Sequence, residues 1–123
     1  MKKQGVASYW IGNGDTQENL NRLTEFTISD SGLGDFVPAP FCRALGIDHY
    51  EPDYFGGKRF PKQLTKLRLL FHGDPVPPQL DAWPEVPPSN CAVALFDYEY
   101  DGSKPTFEID GFSFVFLGAY AYS

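Results

Sequence analysis

The sequence predicts an α+β fold: a single domain over residues 1–123, with a mainly antiparallel sheet of about four strands and two or three helices packed on one face. Three observations lead there. A β-prone opening segment runs directly into a capped amphipathic stretch. Residues 91–122 alternate apolar runs with tight-turn signals. A chain of 123 residues, 42% hydrophobic, is long enough for one core without metal or disulfide staples.

Taken in order, Val6-Ala7-Ser8-Tyr9-Trp10-Ile11 reads as the first strand, since aromatic and β-branched residues suit a pleated, half-buried surface. Gly12 to Gly14 forms a turn. Asp15 is the expected N-cap, with Glu18 three residues on, and Leu20, Leu23 and Phe26 form one stripe of a helix over Thr16–Thr27. Ser29 to Pro40, punctuated by Ser31-Gly32, Gly34 and Pro38, is expected to be an irregular connection. Phe41–Leu45 should be a short helix, opened by Pro40 and closed by Gly46. A segment alternating acids with rings follows and ends at Gly56-Gly57. Residues 61–71 permit a helix started by Pro61, with Leu64, Leu67, Leu70 and Phe71 along one side, or a strand; the helix is preferred.

Asp74 to Asn90 holds six prolines and is expected to contain no regular element. Cys91–Tyr98 is a near-continuous apolar strand and Thr106–Ile109 a short one. Asp110-Gly111 signals a type I′ hairpin into a last strand, Phe112–Tyr122, with Phe112, Phe114 and Phe116 on one face. Sequential strands joined by turns are expected to pair antiparallel.

Composition narrows function. Sixteen acidic against ten basic side chains give a net charge of −6, which repels phosphate backbones and suits a cationic partner, so nucleic acid is not expected as a ligand. No apolar stretch reaches the roughly 20 residues a spanning helix needs, and Met1-Lys2-Lys3 is followed by no apolar signal segment, so a soluble, cytoplasmic protein without a membrane partner is expected. Cys42 and Cys91 have no metal-ligand spacing; they read as buried small hydrophobes or as a disulfide. Neither a metal nor a cofactor is expected, and no catalytic residues are assigned. The enzymatic alternative is a small hydrolase or transferase using His49 or His72, with Cys42 as a nucleophile. A scaffold or oligomerisation module is the third class.

Charge is unevenly placed. Residues 1–57 carry four basic and eight acidic side chains, residues 58–68 five basic and none acidic, and residues 69–123 one basic and eight acidic. Two acidic-aromatic clusters stand out: Asp48, Tyr50, Glu51, Asp53 and Tyr54, then Asp97, Tyr98, Glu99, Tyr100 and Asp101. Tyrosine supplies contact area at small entropic cost, and carboxylates beside it can meet Lys or Arg across an interface. Period-two geometry puts Asp97, Glu99 and Asp101 on one strand face; solvated acids at a strand end are the alternative reading.

Tyr9-Trp10-Ile11-Gly12 before the capped helix, Pro38-x-x-Phe41, Gly46-Ile47-Asp48-His49-Tyr50 and Glu51-x-Asp53-Tyr54-Phe55 resemble the bacterial immunity protein 22 family. Leu95-Phe96-Asp97-Tyr98 and Phe116-Leu117-Gly118-Ala119-Tyr120 are compatible with that family's β-rich end. The resemblance covers residues 6–55, and Ala44 before Leu45-Gly46 and the break at Gly56-Gly57-Lys58-Arg59 depart from it. It implies an immunity protein that occludes a cognate, basic protein toxin, such as a nuclease, without chemistry of its own. Trp83, Tyr50 or Tyr54 would then serve as a desolvated anchor.

Overall fold

The computed structural model describes residues 1–29, 34–73, 77–83 and 85–122. Five strands form one antiparallel sheet, β1 (Lys2–Asn13), β4 (Phe55–Leu64), β5 (Ser89–Tyr98), β6 (Thr106–Ile109) and β7 (Phe112–Ala121), in the order β4-β5-β1-β7-β6. The two shortest strands, β2 (Thr27–Ile28) and β3 (Phe36–Val37), pair as a separate ribbon. The α+β class is as the sequence predicts, with five main strands rather than four.

β1 lies at the centre because its apolar residues occupy both parities. Trp10 packs with Leu20, Leu23, Phe41, Val93 and Phe114 on one face; Tyr9 and Ile11 pack with Leu67, Leu70, Phe71 and Leu80 on the other. Helices therefore cover both faces, not one. α1 (Gln17–Thr24) and α2 (Pro40–Ala44) lie on the first; α3 (Leu67–Leu70) and α4 (Pro78–Asp81), each a single turn, lie on the second. The near-continuous apolar run of β5, buried from Ser89 to Leu95, is what a strand covered on both sides requires.

Several local expectations change. The N-cap of α1 is Thr16, whose Oγ1 accepts from Asn19 N (3.1 Å), while the Asp15 carboxylate is taken by Thr16 N and the Asn19 side-chain amide. The helix stops at Thr24, because Phe26 leaves the helical stripe to meet Phe36 across the ribbon. Pro61 opens no helix: it sits in β4, at the sheet's edge, where the register slips between Arg59 and Leu64 and no ladder donor is needed. Gly56-Gly57 lies inside that strand rather than after it. The proline-rich span does hold a helical turn, α4, with Pro78 at its first position and Leu80 buried. Ser31-Gly32, Asp74, Pro75 and Pro84 fall outside the described residues.

β5 and β6 do not pair with one another. β1 takes the side of β5 that β6 was expected to fill, and β7 carries β6 beyond it. The hairpin at Asp110 (φ 48°) and Gly111 (φ 83°) has the two positive φ angles of a type I′ turn. Residues 40–46 fold as expected, with Pro40 leading α2 and Gly46 (φ 75°) just beyond it.

Candidate functional site

At one end of the sheet β1 enters where β5 and β7 leave: Lys2 stands opposite Tyr98, and Val6 opposite Ala121. Both acidic-aromatic clusters meet there. A 3₁₀ turn, Pro52–Tyr54, leads into β4 and brings Glu51 and Tyr54 beside Asp97, Lys2 and Lys3 around a shallow depression of about 300 Å³. A second depression of about 530 Å³ adjoins Tyr98, Glu99, Tyr100 and Asp101. Separated by more than forty residues in sequence, the two clusters become one surface.

Their members differ in what they are free to do. Asp97 (φ 58°) is half-buried at an irregularity where Lys2 and Ala7 are partnered by Tyr98 and Phe96, and its Oδ1 accepts from Gly5 N (2.9 Å) and from the Tyr122 hydroxyl (2.7 Å). Those hydrogen bonds, the phenol's first, hold its carboxyl below the ordinary value. Glu99 pairs with Lys3 Nζ at 3.3 Å, and its backbone N–H donates to Met1 O. Asp101 Oδ1 accepts from Ser103 N (2.9 Å), closing a turn. The expected row of carboxylates on one strand face is therefore broken, since β5 ends at Tyr98 and each acid is engaged by its own partner within the fold. Tyr98 and Tyr100 are buried in the first-face core.

Asp48, Glu51 and Asp53 are exposed and, among the described residues, none is held in an ion pair. Tyr54 beside them is 50% exposed. Tyr50 is not an anchor: it is a core residue, 5% exposed, whose hydroxyl accepts from Ala39 N (2.9 Å) and whose ring meets Phe36 and Phe55 edge-on. Burial pushes its phenol up to about 12. Trp83 is 39% exposed and lines neither depression.

Both thiols are free and buried, and burial raises each to about 12, so neither is a thiolate nucleophile near neutral pH. The side-chain hydrogen-bond partner of Cys42 is Tyr50, and both His49 and His72 are exposed. Among the described residues, no group of three or more His, Cys, Asp or Glu is placed to hold a metal ion. Nor, among the described residues, is any helix long and apolar enough to cross a membrane.

No family model, curated protein or solved structure matches the chain.

Two features escaped the sequence reading. Gly56, Ala92 and Ala94 leave a hollow of about 310 Å³ on the second face, between Tyr54, Lys58 and Leu70; only the residue sizes hint at it. The β2–β3 ribbon exposes Phe26, Ile28 and Phe36 together. Its signal was present in Thr27-Ile28 and Phe36-Val37, pairs too short to read as strands.

Proposed function

We propose that this protein neutralises a basic protein, a cognate toxin, by stoichiometric occlusion in the cytoplasm, in the manner of the immunity proteins its Trp10 and Gly46–Tyr54 segments resemble. The observation that carries the reading is the exposed, unpaired acidic edge of Glu51, Asp53 and Tyr54, joined by folding to the surface around Asp97. A solvated carboxylate there keeps its field outside the protein, where it raises the encounter rate with a cation. Tyr54 adds a half-exposed ring that loses little rotamer freedom on contact. Asp97 and Glu99 support this surface rather than reach out from it.

The test is co-expression with the toxic product of the neighbouring gene. The chain is expected to abolish killing, and unchanged killing would defeat the proposal. In a purified pair, Asp53→Lys is expected to slow association, with the difference shrinking as salt rises. Equal association rates at low salt would remove the steering role. Asp53 is the cleaner site for this test than Glu99, because Glu99→Lys also breaks the bridge to Lys3.

A further inference from the structure

We propose that the exposed face of the β2–β3 ribbon, Phe26, Ile28 and Phe36, is the apolar anchor site for a cationic protein partner. Ile28 and Phe36 are opposed across the ribbon and share a face, and Phe26, two residues before Ile28, lies on that face too. Their exposures are 42%, 54% and 36% in chain order, three large apolar groups side by side on one short element. Scattered single hydrophobics need no explanation; a contiguous group of them marks a contact surface.

The patch is pre-organised. Phe26 meets Phe36 with ring centroids 5.4 Å apart, Phe36 meets Tyr50 at 5.5 Å, and Tyr50 meets Phe55 at 5.5 Å, a chain of rings running from solvent to the core. Rings already held in place lose little freedom when a partner docks, which is what an affinity anchor requires. The charge around it selects the partner. Glu25 directly precedes Phe26, Asp48 and Glu51 lie on either side of Tyr50 in the chain, and all three are exposed. A second copy of the chain would bring like charges together; a protein offering an apolar side chain among lysines or arginines would not. This deepens the function proposed above and rests on it for the identity of the partner, not for its chemistry.

The probe is a short helical peptide with leucines on one face and lysines on the other, titrated into isotope-labelled protein. The Ile28 methyl groups and the Phe26 and Phe36 rings are expected to shift most. Ile28→Thr, which keeps the β-branched backbone preference, should weaken binding about tenfold. Phe36→Leu keeps an apolar contact on Tyr50 and should weaken it less. Glu25→Lys should weaken binding and flatten its salt dependence, and a leucine/glutamate peptide should not bind. Shifts centred on Tyr54 or Trp83, equal affinity in Ile28→Thr, or wild-type self-association abolished by Ile28→Thr would each overturn the assignment. If the chain binds the peptide here yet fails to protect in co-expression, the function falls and the surface stands. If it protects while no ribbon resonance moves, the surface falls and the function stands.

Discussion

Tyr50→Phe separates a structural tyrosine from a recognition one. The substitution deletes a single oxygen and leaves the ring contacts to Phe36 and Phe55 in place. It orphans the backbone N–H of Ala39, a residue with no solvent exposure, which donates to that oxygen at 2.9 Å, and it removes the weaker bond to the Cys42 thiol. A buried donor left without an acceptor costs about 1–3 kcal/mol. Taking ~2 kcal/mol, and about 4 °C per kcal/mol for a chain of this length, the midpoint of thermal unfolding should fall by about 8 °C. Urea titration should show a lower midpoint with an unchanged slope. Partner binding should be untouched, because the hydroxyl never reaches the surface. A stability loss below about 0.5 kcal/mol would refute the bond's role, being less than a typical hydrogen bond contributes; weakened binding with native stability would show Tyr50 to be an anchor after all.

Alkaline pH should destabilise the fold. Cys42, Cys91 and Tyr50 are all raised to about 12 by burial, so the folded state keeps protons that the unfolded chain gives up from about pH 9 upward. Stability should decline as pH climbs from about 9 towards 12, and at pH 8 iodoacetamide should label neither thiol until urea unfolds the chain. Gly57→Ala should destabilise by about 1 kcal/mol, because its new methyl would meet Leu20 Cδ2 and Val93 Cγ2 at 3.2 Å in a filled core. Gly56→Ala, which points into open space, should be neutral or slightly stabilising; equal effects at both positions in urea titrations would contradict the assigned faces. Gln17→Leu should cost about 1 kcal/mol and produce concentration-dependent association in sedimentation, since Gln17 Oε1 accepts from Arg59 N (2.6 Å) and its Nε2 donates to Gly57 O (3.3 Å) on the outer side of β4. A monomer at all concentrations would dismiss that role.

What could be read in advance follows from how local each signal is. Pro40 with Gly46, and Asp110 with Gly111, are decided by φ requirements within a few residues, and both were legible. The strand at residues 91–98 was legible from its apolar content, but its neighbours were not: pairing with β1 is a matter of topology, which no local pattern carries. Pro61 misled because a proline fits a helix start and a sheet edge equally well, and only the register slip at Arg59 distinguishes them. At the candidate site, composition singled out the acids and tyrosines without showing which were spent internally. Asp97 and Tyr50 are committed to Gly5, Tyr122 and Ala39, partners far off in sequence. Asp53 and Tyr54 remain outward because the 3₁₀ turn lifts them clear of the sheet.

The two borders of the sheet are not equivalent. Along β4, Phe55 N–H is turned back to Pro52 O, the Arg59 donor and Gly57 acceptor are stopped by Gln17, and Pro61 offers no donor at all. On the other border β6 is only four residues long and carries Glu108, and β7 runs on past it to Ala121. Stacking sheets into a filament requires two receptive borders per molecule, one to join and one to be joined. A protein with one border closed can at most pair off, and growth then terminates.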